Sequence, residues 1–100
     1  MREFTVVFTP QADEDFDNII DHIAQDDPVR ALSFIEELHD RTYNALSMVP
    51  HGGAAFRGSY FFPFGNYVVV YDIDDGNSRV VVHMISHSRR QWKSIFLNRL

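Results

Sequence analysis

The residues best suited to chemistry lie near the carboxyl end of the chain. His83 and His87 are four positions apart on a predicted strand, a spacing that directs both imidazoles to one face of a sheet. A histidine can protonate a leaving hydroxyl, and arginines such as Arg57, Arg89 and Arg90 can hold a phosphodiester, so these residue types could cleave RNA. Such residues are also common on surfaces that bind partners or have no function. His87, Arg57 and Arg89 are therefore the catalytic candidates if the protein is a nuclease.

Metal and cofactor chemistry finds little support in the sequence. There is no cysteine, and no third ligand is spaced to complete a zinc site beside His83 and His87. The segment 72–77 resembles a calcium loop only faintly, because Gly76 occupies the fifth position and no glutamate follows. An acidic stripe on the first predicted helix is typical of a solvated face. We predict no metal and no cofactor.

The net charge of −5 hides a division between the two halves of the chain. Residues 1–50 contain 11 acidic and 3 basic residues, whereas residues 51–100 contain 3 acidic and 6 basic residues, and no acid follows Asp75. A basic end on an acidic body favours an anionic partner for one surface. We expect that surface to be the basic segment, defined here as Arg89, Arg90, Trp92 and Lys93, where cations and an aromatic ring follow a strand.

Length and composition indicate one domain over residues 1–100 with an ordinary packed core, because 45% of the residues are hydrophobic and no disulfide is possible. The longest apolar runs are too short to cross a bilayer. The first residues lack the basic and then apolar layout of a signal peptide. We therefore expect a cytoplasmic protein with no membrane contact.

Local signals predict the elements that position these residues. A β-branched and aromatic run predicts a strand over 4–8, and Thr9 followed by Pro10 predicts the start of a helix. Asp27 and Pro28 repeat that signal for a second helix ending near Met48, so the two helices form a hairpin.

The second half of the chain predicts strands and a short terminal helix. The strands are a weak one over 54–58 and stronger ones over 60–64, 67–73 and 79–86, and the helix begins at Ser88. The expected fold class is α+β in the order β, αα, βββ, with the helix hairpin packed on one face of a mostly antiparallel sheet.

Both faces of the predicted sheet are apolar, so a helix hairpin on one face leaves the other uncovered. Either the terminal helix folds over the second face, or an apolar groove waits for a partner. Seven aromatic residues cluster in these strands, and they cannot all fit under two helices. They are Phe56, Tyr60, Phe61, Phe62, Phe64, Tyr67 and Tyr71.

Taken in order, several features resemble one protein family. These are the cap and proline in 8–12, the joint at 27–28, the loop 50–53, Arg57, the strands 67–71 and 80–85, and the terminal segment 87–90. The chain is similar in them to the RelE/ParE superfamily of toxins from type II toxin–antitoxin systems. Within that superfamily it looks more like ParE.

The resemblance implies a small toxin neutralised by a cognate antitoxin of the ParD type, with DNA contacted only indirectly through that antitoxin. The seven aromatic residues of the strands are then the predicted antitoxin-binding residues. ParE members poison DNA gyrase, whereas RelE members enter the ribosome and cut messenger RNA with a strongly basic sheet. Here Arg57 is the single basic residue in 51–78 and Lys93 the single lysine, which favours a gyrase inhibitor that breaks no bonds. A RelE-like ribosome-dependent endonuclease using His87 is the alternative, and an inactive family member is the third.

Overall fold

A computed structural model describes residues 3–100, so the first two residues of the expected domain lie outside the described part. Within it the chain forms a mixed α+β fold, which confirms the predicted class. The elements are β1 (Thr5–Phe8), α1 (Pro10–Ala24), α2 (Pro28–Met48), β2 (Ala54–Phe56), β3 (Ser59–Phe64), β4 (Tyr67–Asp74), β5 (Arg79–His87) and α3 (Trp92–Arg99). The weak strand expected over 54–58 thus forms as β2 and gives the sheet a fifth strand.

Both long helices begin where capping chemistry predicts. The Thr9 hydroxyl accepts a hydrogen bond from the Ala12 N–H at 3.2 Å, and the Asp27 carboxylate accepts one from the Arg30 N–H at 3.0 Å. A proline occupies the first turn of each helix, where a missing N–H costs nothing. Local sequence alone therefore fixes both starts of the helix hairpin.

The five strands lie side by side in the order β1-β5-β4-β3-β2. β1 runs parallel to β5 and pairs with its residues Arg79 to Val82. All other neighbouring strands are antiparallel. The helix hairpin covers one face, where Phe16 and Leu38 pack with Val69, Tyr71 and other buried side chains. This arrangement confirms a hairpin on one face of a mostly antiparallel sheet.

The terminal helix covers the second face. Trp92 and Phe96 of α3 form a separate core cluster with Val68, Val70 and Met84, all of them buried. Of the two expectations for this face, the covering helix is therefore the correct one. The helix begins at Trp92 rather than at Ser88, because the preceding backbone turns: the Ser88 N–H donates to the Asn66 carbonyl at 2.7 Å.

A bulge in β5 makes one sequence-based expectation wrong. Tyr71 of β4 pairs with Val82 and Val70 pairs with Met84, so His83 is an extra residue on β5. An extra residue moves all later side chains to the opposite face. His83 therefore lies on the α3 face, with its ring 6.4 Å from that of Phe96, whereas His87 lies on the hairpin face. The two imidazoles do not share a face.

An ion pair joins three elements just beyond this bulge. The Arg99 guanidinium at the end of α3 donates to both carboxylate oxygens of Asp15 in α1, at 2.7 and 2.9 Å. Arg99 also donates to the His83 carbonyl at 3.2 Å, and Asp15 accepts from the Ile85 N–H at 3.1 Å. We call this group the Asp15–Arg99 clasp. Hydrogen bonding to Asp15 raises the pKa of Arg99, so the charge persists at every physiological pH.

Breaking the clasp should destabilise the fold. Arg99→Gln removes the charge partner of Asp15, whose side chain is only 12% exposed, and losing one partner of a buried pair costs about 3 kcal/mol. Urea denaturation followed by circular dichroism measures this loss. The control, Arg79→Gln, breaks an exposed pair with Asp74, and its midpoint should hardly change. Equal midpoints for the two variants would refute the role of the clasp.

Candidate functional site

The three catalytic candidates do not come together. Arg57 lies in the two-residue turn between β2 and β3, with a left-handed φ of 53° beside Gly58. His87 pairs with Tyr67, which pairs with Phe64 at the far end of β3. The five residue steps of β3 separate the two ends by roughly 17 Å. Arg57 is therefore at the opposite end of the sheet from His87 and Arg89, and a nuclease site that uses all three is not assembled.

His87 has a defined orientation at the end of β5. Its ring meets the Tyr67 ring edge to face at 5.3 Å. Its Nδ1 accepts a hydrogen bond from the Arg89 backbone N–H at 3.1 Å. Since Nδ1 is an acceptor, the neutral imidazole carries its proton on Nε2. His87 and Arg89 are thus adjacent through the backbone of the turn, while the Arg89 side chain remains exposed.

A cavity of about 390 Å³ opens beside His87, between α1 and the end of β5. We call it the β5 cavity. Its lining is Asp15, Asn18, Ile19, His22, Tyr67, Ile85, Ser86, His87 and Arg90. Burial raises the pKa of Tyr67, which keeps its hydroxyl protonated at neutral pH. His22 is a lining residue that no sequence motif indicates, although its helical spacing of four from Asn18 places both on one side of α1.

The basic segment contains residues with different surroundings. Arg89 and Arg90 are exposed on the connection that leads to α3. Trp92 is only 8% exposed, because its ring packs on Phe61 at 4.9 Å and belongs to the second core. The Lys93 ammonium lies 5.5 to 5.9 Å from the centres of the Phe56, Phe61 and Trp92 rings. Three cations of this segment therefore face outward, and the tryptophan holds them in place.

The seven predicted antitoxin-binding residues divide between the two faces of the sheet. Phe56 and Phe61 pack under α3, whereas the other five belong to the hairpin face. Tyr71 is fully buried, and its hydroxyl donates to the Pro50 carbonyl at 2.6 Å. That burial raises the pKa of Tyr71 to about 12. In this conformation, Tyr71 and the buried Phe64 present little of their rings at the surface.

Two open grooves flank the helix hairpin. The first, about 590 Å³, lies between the end of α2 and β3 and is mainly apolar, with Met48, Val49, Phe62, Pro63 and Phe64 in its lining. We call it the α2–β3 groove. The second, about 510 Å³, lies between α1 and α2 and has an apolar floor. Its rim carries four carboxylates, those of Asp13, Asp17, Glu36 and Asp40. We call it the acidic groove.

Within residues 3–100, no group of three or more histidine, aspartate or glutamate side chains is arranged to hold a metal ion. None of the helices described is long and apolar enough to span a bilayer.

Comparison with known proteins identifies the family. A family model described as the ParE toxin of the type II toxin–antitoxin system parDE matches residues 6–92. The chain belongs to this ParE family. The match covers the helix hairpin, the sheet except for Thr5, the β5 cavity and the first residue of α3. No curated protein matches the sequence significantly.

Solved structures with a similar fold come from both RelBE and ParDE systems. The RelBE2 toxin–antitoxin complex from Mycobacterium tuberculosis contains a chain 26% identical, with a TM-score of 0.70 over 87% of this chain and 93% of that chain. A chromosomal ParDE system from P. aeruginosa gives 17% identity and a TM-score of 0.72 over 85% and 96%. The isolated E. coli RelE toxin gives 17% and 0.57 over 96% and 97%. The latter two similarities concern the fold alone.

A stability measurement separates the two roles available to Trp92. Because its ring fills the second core, Trp92→Ala should cost about 3 kcal/mol or more. Lys93→Gln, one position away, removes only an exposed cation and should cost much less. Thermal and urea denaturation of the purified variants provide both values. If the Trp92→Ala variant is as stable as the native chain, Trp92 has no structural role in the second core and is available to contact a partner.

Proposed function

We propose that this ParE-family toxin inhibits DNA gyrase by binding it in the cytoplasm, breaks no bonds itself and is neutralised by a ParD-like antitoxin. The observation that carries the proposal is the match of the ParE model to residues 6–92. The separation of Arg57 from His87 supports it, since the three candidate catalytic residues of a nuclease are not close together. The proposal treats residues 1–100 as one domain that needs no cofactor.

The basic segment is the proposed contact surface for gyrase. Arg89 and Arg90 are exposed, make no side-chain hydrogen bond or ion pair within residues 3–100, and lie on a short connection anchored at both ends. His87 fixes one end of this connection, and Trp92 in the second core fixes the other. Cations held on a rigid loop lose little entropy on binding an acidic surface.

The α2–β3 groove is the proposed antitoxin site. Met48 and Val49 are more than half exposed beside Phe62, and an exposed apolar patch of this kind is typical of an interaction surface. β2 pairs with β3 only as far as Phe61, so within residues 3–100 the outer edge of β3 from Phe62 to Phe64 has no strand beside it. An extended antitoxin segment can lie along this edge and place apolar side chains in the groove.

A RelE-like endonuclease remains the second candidate, because the fold also matches RelE and because His87 lies next to Arg89 and Arg90. It requires that His87 act without Arg57.

The gyrase proposal predicts the behaviour of a charge-removing variant. Arg89→Gln/Arg90→Gln should raise the toxin concentration needed for half-inhibition of DNA supercoiling at least about tenfold, a loss of about 1.4 kcal/mol of binding. Arg30→Gln/Arg79→Gln removes the same charge elsewhere and should leave inhibition unchanged. Equal effects of both variants would refute the contact surface. Intact gyrase activity together with messenger RNA cut on ribosomes, and loss of that cutting in His87→Ala, would select the endonuclease.

The antitoxin proposal predicts a groove-specific effect. Met48→Glu places a carboxylate among apolar contacts and should weaken binding of the cognate antitoxin at least about tenfold. The matched control is Val29→Glu at the other end of α2, where the native side chain is 81% exposed outside this groove. Isothermal titration calorimetry gives both affinities. If the antitoxin binds the Met48→Glu variant and the native toxin with equal affinity, its binding site lies outside the α2–β3 groove.

A further inference from the structure

The β5 cavity has the composition of an anion site. Its rim carries Asn18 and His22 from α1 and Arg90 from the connection to α3, and His87 lies at its edge. Asn18, His22 and Arg90 make no side-chain hydrogen bond or ion pair with any other residue in the range 3–100. Donors from two separate elements therefore face one concavity without a protein acceptor.

Asp15, the acidic residue in the lining, does not repel an anion. Both oxygens of Asp15 are engaged by the Arg99 guanidinium at 2.7 and 2.9 Å, and the Ile85 N–H donates to one of them. Its charge is thus compensated within the clasp. The acidic groove opens between α1 and α2, and none of its four carboxylates lines the β5 cavity. Among residues 3–100, Arg90 is therefore the charged residue of the lining that no protein group engages, and the two imidazoles add hydrogen-bonding nitrogens.

The size and the apolar floor of the cavity indicate which chemical group is attached to the anion. A volume of about 390 Å³ falls in the range of small-molecule sites and exceeds what a single phosphate group fills. The floor is formed by Ile19, Ile85 and the Tyr67 ring, which offer apolar contact to a flat group. Guanidinium and imidazole groups are suitable donors for phosphate oxygens, and the Tyr67 hydroxyl adds another.

We propose that the β5 cavity binds a phosphate monoester carried on a flat ring, the chemistry of a nucleoside monophosphate. Arg90, His22 and His87 Nε2 hold the phosphate, and the floor of Ile19, Tyr67 and Ile85 accepts the base. A free nucleotide and the phosphorylated end of a nucleic-acid strand share this chemistry. Arg90 belongs both to this site and to the basic segment proposed to contact gyrase, but nucleotide binding needs no gyrase and can be measured on the toxin alone.

Titration of the full chain with adenosine 5′-monophosphate, followed by ¹H–¹⁵N NMR, tests the site. We expect saturable shifts at Ser86, His87 and Arg90 with a Kd below about 1 mM, which corresponds to about 4 kcal/mol of binding. Adenosine should bind at least about tenfold more weakly. Inorganic phosphate alone should shift the same amides with lower affinity. Absence of saturable shifts with the nucleotide would overturn the proposal without touching the gyrase proposal.

Matched variants locate the binding. His22→Gln and Arg90→Gln should each weaken nucleotide binding at least about fivefold, and both positions are exposed, so the fold should persist. His39→Gln removes an imidazole from the acidic groove instead and should change nothing. A short oligonucleotide with a 5′-phosphate should compete with the nucleotide if the site also takes strand ends. Equal losses in His22→Gln and His39→Gln, or equal competition by the unphosphorylated strand, would refute the site.

Discussion

The Asp15–Arg99 clasp is the interaction on which the arrangement of this molecule depends. β1 pairs with β5 only as far as Val82, so beyond that point no strand of the described part of the chain lies beside β5 on that side. The clasp supplies the missing hydrogen-bond partners at His83 and Ile85. A sheet edge left open in this way would invite pairing with another chain. By closing it with side chains from α1 and α3, the clasp also fixes the terminal helix to the far face.

The position of α3 then decides which residues of the carboxyl-terminal quarter face the solvent. Its aromatic residues, Trp92 and Phe96, are spaced by four and fill the second core. Lys93, between them in sequence, comes to lie above the rings, and Arg89 and Arg90 stay outside on the connection. A basic surface on this small protein is thus a consequence of covering the second apolar face with a helix whose preceding residues are cationic.

The sequence predicts this fold best where the signals are local. Thr9 and Asp27 cap the helices as expected, and the alternation in β4 places Tyr67 and Tyr71 on the hairpin face. Prediction from the sequence fails at His83, because the composition does not indicate the bulge. The bulge places His87 on the opposite face of the sheet from His83. The distance of Arg57 from His87 could have been deduced, since antiparallel neighbours alternate direction and the start of β3 must lie far from the end of β5. His22 and His87 line the same cavity because α1 packs on β5, and no local pattern in the sequence predicts that contact.

The charge of the whole chain is a poor guide to what such a protein binds. At physiological salt the field of an exposed charge decays over about 8 Å, so an anionic partner responds to the side chains nearest to it. Here α1 carries Asp13 and Asp17 toward the acidic groove, and Asn18 and His22 toward the β5 cavity. The helix α1 therefore separates a groove rimmed by carboxylates from a cavity whose unpaired charge is Arg90. A protein with a net charge of −5 can in this way offer a basic partner and an acidic partner separate places to bind.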